Sequence, residues 1–299
     1  MSGKVGGAKS NSGIVGSVSN IKFAPTDTEP TVKAGNVYYD DSEDTLKHYT
    51  GSAWATFVPP NYTNPGAEYV IDSNTKMLLQ MEDTALDCSA NSSTTTTASG
   101  QAARSSTQAK IGTYSMSLDG SGDYLQCGSG STESDQWDWG TGSGTLDFWV
   151  YLNNTSGTQL LAGRVCSPAA TGACYPWSGT QGEQGWSLRV NNSAQLYWSE
   201  NAGSAWSNIT GTGTISATSW THIALVKDGN DITLYRDGSS VGTSSGSGNF
   251  ETGGSNSIVD FPITIGAGWD NGNATYYADG YIDQFRVSNT ARWTSNFST

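Results

Sequence analysis

A chain of 299 residues is long enough for one large domain plus an appendage, and folding at that size removes roughly three quarters of the unfolded surface from water. Its 35% hydrophobic and 11% aromatic residues suffice for a packed core, while 14% charged residues and 37 glycines imply a hydroxyl- and amide-rich surface with tight turns. The net charge of -13 repels phosphate backbones and anionic lipid heads, which argues against nucleic acid and membrane surfaces as partners, and no apolar run is long enough to form a membrane-spanning helix.

Residues 1–20 are rich in Gly, Ser, Ala and Asn and read as an extended arm without a fold of its own. The first nine residues contain no apolar run of the kind a secretory signal needs. Residues 21–59 change character. The segments 21–23, 36–40, 46–49 and 53–57 are short aromatic and β-branched runs separated by polar turns, the pattern of a small β module. Pro59, Pro60 and Pro65 then stiffen a linker assigned to residues 60–75.

From residue 76 to 299 the apolar residues recur with the period of strands. Leu146, Phe148, Val150 and Leu152 share one face, and Thr145, Asp147, Trp149 and Tyr151 the other. Segments 220–226, 232–237 and 281–287 are further runs of strand length, and Asp237-Gly238 followed by Val241 predicts a hairpin turn. No long helical repeat is visible, so the pattern predicts an all-β, two-sheet antiparallel sandwich. Cys88, Cys127, Cys166 and Cys174 form no zinc-binding pattern with His48 and His222, while Cys166 with Cys174, or Cys88 with Cys127, could pair once oxidised.

Three segments carry a family resemblance: Leu118-Asp119-Gly120-Ser121-Gly122-Asp123-Tyr124-Leu125, residues 144–152, and the closing residues 280–299. With residues 77–82, 109–115, 220–226 and 234–238, they resemble the laminin-G-like, concanavalin A-type jelly roll across residues 76–299. Separately, Gly35-x-x-Tyr38-Tyr39-Asp40 and Leu46-x-x-Tyr49-x-Gly51-x-x-Trp54 resemble an element of phage tail and head appendage stems. Together the resemblances imply a non-enzymatic phage virion protein, made in the host cytoplasm and displayed on the particle as a tail fibre, receptor-binding protein, capsid decoration or head fibre. They imply that residues 1–59 attach to other virion proteins, that the chain forms a homo-oligomer, and that the jelly roll meets a host-surface glycan. A secreted bacterial carbohydrate-binding or adhesion module is the alternative, followed by a glycoside hydrolase.

The resemblance also implies a structural Ca2+ joining the opening and closing strands, with Asp283 as one ligand and Glu82 or Asp87 as its partner. Asp283 could instead bond loop amides or pair with Arg286 or Arg292. No catalytic residue is assigned. Residues 133–138 imitate the acidic array of laminarinase-type glycosidases, but they lack strand alternation and Asp138 stands where the acid should be. Trp177, Trp186, Tyr197, Trp198, Trp206 and Trp269 fall in or beside glycine-rich stretches and read as a carbohydrate- or partner-binding surface, since rings stack on sugar faces. Rings of this kind also cover sheet faces or fill subunit interfaces.

Overall fold

The structure is a computed structural model, and it describes residues 37–40, 45–49, 52, 54–56, 69, 71–82, 96–127, 139, 142–164, 185–201, 206–245, 263–270 and 273–299. The chain divides into two compact units, Met1–Tyr62 and Thr63–Thr299. In the first, β1 (Val37–Asp40), β2 (Thr45–Tyr49) and β3 (Trp54–Thr56) form a three-stranded antiparallel meander. The arm and the run at 21–23 lie outside the described residues.

The second unit is a two-sheet antiparallel jelly roll, and no helix occurs among the described residues. Its strands are β4 (Thr75–Leu79), β5 (Thr96–Ser99), β6 (Ala103–Ser105), β7 (Ser115–Asp119), β8 (Tyr124–Cys127), β9 (Gly144–Leu152) and β10 (Gln159–Arg164). They continue with β11 (Gly185–Val190), β12 (Leu196–Asn201), β13 (Trp206–Thr210), β14 (Trp220–Asp228), β15 (Asp231–Arg236) and β16 (Ser239–Ser244). The last four are β17 (Ile263–Ile265), β18 (Gly268–Asp270), β19 (Asn273–Thr275) and β20 (Asp279–Ser288). One sheet has seven strands in the order β13-β12-β11-β10-β17-β8-β5. The other has eight, in the order β16-β15-β14-β9-β20-β7-β6, with β4 paired to β20. β18 and β19 form a separate two-stranded ribbon.

Strand alternation decides what fills the space between the sheets. Leu146, Phe148, Val150 and Leu152 face the core as their spacing predicts, and Phe148 stacks on Phe285 at 5.3 Å. The opposite sheet contributes Leu125, Leu188, Leu196, Trp198 and Ile263 among others. β20 breaks the period. Its register shifts between Asp283 and Arg286, where Gln284 adopts a φ of 52°. That bulge turns both Ile282 and Phe285 into the core and leaves Asp283 and Arg286 on the outer face.

The outer face of the eight-stranded sheet is largely covered by the chain itself. Tyr69 and Ile111 pack with Trp149 over its centre, and Trp293 and Phe297, stacked 3.9 Å apart, close over Ala224, Val226 and Tyr235. Backbone bonds fix this tail, Phe297 N–H donating to Gly238 O at 2.9 Å. Cys127 is buried in the core, and Cys88, Cys166 and Cys174 lie outside the described residues.

Candidate functional site

The outer face of the seven-stranded sheet is built of small and polar side chains. Gln126, Thr264, Gly163, Ser187, Ser199 and Asn208 stand directly opposite one another across six adjacent strands. Their neighbours Leu125, Ile263, Ile265, Leu188 and Trp198 point into the core, so the row lies on the other side of the sheet. Thr264, Ser187 and Ser199 at its centre are themselves buried, at 0%, 0% and 4% exposure, so the row is exposed only at Asn208 and in part at Gln126. Ser187 Oγ and Ser199 Oγ lie 3.0 Å apart, and Thr264 Oγ1 donates to Gly163 O at 3.3 Å.

One step along the strands, Arg189 stands opposite Tyr197, which stands opposite Thr210. The guanidinium lies 4.2 Å over the Tyr197 ring and donates to Ser187 Oγ at 3.1 Å and Ser199 Oγ at 3.4 Å. Burial pulls the Arg189 pKa down to about 10, against the opposing influence of Tyr197 and Tyr276, so the group stays cationic at neutral pH. A planar cation and a phenol ring are thus held in fixed relation, each partly exposed. Such a pair can donate to hydroxyl or carbonyl oxygens while the ring takes an apolar ligand face. Among the described residues of this row no carboxylate occurs, so it contains no acid pair for glycosidic cleavage.

Of the residues singled out in the sequence, Tyr197 is half-buried on this face. Trp186 and Trp198 are not there. They are 3% and 0% exposed in the core, so the expectation that their rings meet a ligand is corrected. The reason is parity: Trp186 alternates with Ser187 and Arg189 in a strand, and Trp198 with Tyr197 and Ser199, so each tryptophan points inward. Trp206 stands in β13 opposite Asn201, and Trp269 in β18 opposite Ala274; their side chains lie outside the described residues, as do Trp177 and residues 133–138. Arg189 escaped the sequence reading although Trp-Ser-Leu-Arg-Val at 186–190 has the alternation that places it.

Glu82 and Asp283 clamp the loop that leads into β7. Asp283 Oδ2 accepts from Lys110 N at 2.9 Å and Ile111 N at 3.1 Å, while Glu82 Oε1 accepts from Thr113 N and Tyr114 N, both at 2.9 Å. Burial pushes the Asp283 carboxyl up to about 6, with the charge of Glu82 adding to the rise and the loop amides opposing it. Asp283 Oδ1 is buried without a hydrogen-bond partner. These features fit a hard cation only in part: two oxygens already serve amides, Asp87 lies outside the described residues, and no cluster of three or more His, Cys, Asp or Glu occurs among those described. A Ca2+ here would draw most of its six to eight oxygens from carbonyls or water. Arg286 and Arg292 do not pair with Asp283. Arg286 forms a two-pronged pair with Asp147 at 3.0 and 2.8 Å, and Arg292 pairs with Asp72.

Comparison with known proteins gives three findings. The laminin-G-type family described as the concanavalin A-like lectin/glucanases superfamily matches residues 119–295. No curated protein matches the chain. Among solved structures, the chain is similar to domain 4 of AbnA, a GH43 extracellular arabinanase of Geobacillus stearothermophilus solved with arabinotriose; identity is 16%, coverage 73% of this chain and 94% of that one, and the TM-score 0.49. It is also similar to the CBM40 of the Ruminococcus gnavus IT-sialidase, at 12% identity over 52% and 80% of the two chains with a TM-score of 0.39. A third similarity is to the binding domain of botulinum neurotoxin serotype C1, at 10% identity over 73% of this chain and 49% of that one, TM-score 0.49, so the match spans about half of that chain.

Proposed function

Since the chain belongs to the laminin-G-type family of the concanavalin A-like lectin/glucanases superfamily, we propose that it is a non-catalytic binding module on the surface of a phage particle, taking a host glycan on the outer face of its seven-stranded sheet. The observation that carries the glycan reading is the Arg189–Tyr197 pair, a partly exposed cation and ring held in place by the buried hydroxyls of Ser187 and Ser199 before any ligand arrives. Preorganised groups of this kind lose little entropy on binding. Attachment through residues 1–59, and with it the virion setting, rests on the composition of the arm and the aromatic pattern of the first unit.

Titration of the intact protein with glycans released from the host surface tests the binding reading. Tyr197→Ala and Arg189→Ala should each weaken binding at least tenfold while leaving the melting temperature within a few degrees. Unchanged affinity in both variants would remove this face from the reading. For display, antibodies against residues 76–299 should decorate intact particles, and bare particles would count against the virion setting. Glu82 and Asp283 would hold a structural Ca2+ that ties β4 to β20. On that reading a chelator lowers the melting temperature of the wild type but not of Asp283→Asn, and equal melting curves with and without chelator would dismiss the metal.

A further inference from the structure

On the outer face of the eight-stranded sheet, one row of rings keeps part of its surface exposed. Trp220 on β14, Tyr151 on β9 and Tyr281 on β20 stand directly opposite one another. Their ring centroids are 5.7 and 5.8 Å apart, with planes inclined by 59° and 74°. Each ring is half-buried, and among the described residues no hydrogen bond engages either phenol hydroxyl. One register step inward, Trp149 lies beneath Tyr69 and Ile111, with the Lys110 ammonium 4.1 Å over its ring. One step outward lies a polar border: Asn153 Nδ2 donates to Asp279 Oδ1 at 2.7 Å, and Asn154 Nδ2 donates to Asp279 Oδ2. Trp220 packs against the edge of the Tyr69, Ile111 and Trp149 cluster, and adjacent strands bring the three rings into line.

We propose that Trp220, Tyr151 and Tyr281, bordered by Asn153 and Asp279, form a second carbohydrate site that takes a neutral oligosaccharide. The proposal does not rest on the Arg189–Tyr197 face, which belongs to the other sheet. Rings set a strand apart present successive apolar faces to successive sugar units, and the amide and carboxylate at the border can bond their vicinal hydroxyls. The inclined planes make a corrugated row suited to a single soluble chain rather than to a flat crystalline surface. Charge selects the ligand class: the Asp279 carboxylate and a net charge of -13 disfavour sialic, uronic or phosphorylated sugars. Area disfavours a second copy of the chain, because three half-buried rings expose on the order of 200 Å², well short of the roughly 800 Å² each partner buries in a stable complex.

The test is titration of the full-length protein with cellohexaose, laminarihexaose, mannohexaose and, as the acidic control, hexagalacturonic acid, followed by tryptophan fluorescence and calorimetry. At least one neutral hexasaccharide should bind and the acidic one should not. Trp220→Ala and Tyr281→Ala should each weaken that binding at least tenfold, Trp220→Phe should restore most of it, and Tyr197→Ala should leave it unchanged. The phenylalanine variant separates loss of stacking from loss of fold. Absence of binding to every neutral hexasaccharide overturns the proposal, as does binding that survives both alanine substitutions. Loss of binding in Tyr197→Ala alone moves the site to the other sheet and also overturns it. Concentration-dependent dimerisation abolished by Trp220→Ala would identify a second copy as the occupant and overturn it equally.

Discussion

Asp147 is 0% exposed yet carries a charge, because Arg286 meets it with two parallel hydrogen bonds and His222 Nε2 lies 3.7 Å from it. Burial works to raise its pKa, but the Arg286 guanidinium and His222 outweigh that and hold the carboxyl at about 2. Tyr69 completes the cluster, its hydroxyl 2.8 Å from His222 Nε2 and its ring 4.1 Å under the guanidinium. Removing one member strands the other charge away from water. Asp147→Asn should therefore cost about 3–5 kcal/mol in urea unfolding, whereas replacing both Asp147 and Arg286 by apolar residues of similar volume should cost much less. The linkage runs in a definite direction. A folded pKa of about 2 against the ordinary aspartate value of 3.8 means that the stabilisation is present above about pH 4 and is lost as pH falls through 2. Urea midpoints of the wild type should drop across that window, and those of Asp147→Asn should drop less; parallel profiles would place the acid sensitivity elsewhere.

At the scale of elements, the β15–β16 hairpin both turns the chain and anchors its end. Asp237 and Gly238 have φ of 49° and 72°, the left-handed pair that a two-residue hairpin requires. A Cβ at Gly238 would lie 1.9 Å from Phe297 O, so Gly238→Ala strains the turn and pushes away the tail that covers Val226 and Tyr235. It should lower stability by about 1–3 kcal/mol and make the last ten residues more susceptible to protease. A tail as protected as in the wild type would refute the anchoring role. The turn itself was legible, because Asp-Gly between alternating runs has few other uses, and so was β9, where nine residues alternate without interruption. The bulge in β20 was not, since the insertion of one residue into the period has meaning only against partner strands. β11 and β12 were also read as loop-flanked aromatics, because Ser187, Arg189 and Ser199 on their outer positions dilute the apolar signal; the inward turn of Trp186 and Trp198 and the outward turn of Arg189 went with them. Alternation identifies two faces per strand, but which outer face another part of the chain covers depends on contacts such as Trp293 on Ala224, some seventy residues apart.

At the scale of the whole molecule, the jelly-roll unit carries candidate ligand sites on its two sheets, each offering a few partly exposed groups. Sites with few exposed groups give weak single contacts, since little is desolvated together. On the proposed particle display, many copies would raise the effective concentration of the second and later contacts, which can strengthen attachment by about 10²–10⁴ without any new interaction. Thr63–Thr299 is a compact unit with its own core, so a chain lacking residues 1–59 should fold, keep the melting transition of the jelly roll and keep its single-site affinity for glycan. It should, however, fail to enter particles, and the particles made without it should lose retention on host-glycan-coated surfaces at concentrations where intact particles hold fast. Incorporation of the truncated chain at wild-type level would break the assignment of attachment to the first unit. Retention unchanged in particles lacking the protein altogether would break the assignment of host contact to the jelly roll, even if the isolated domain still bound sugar.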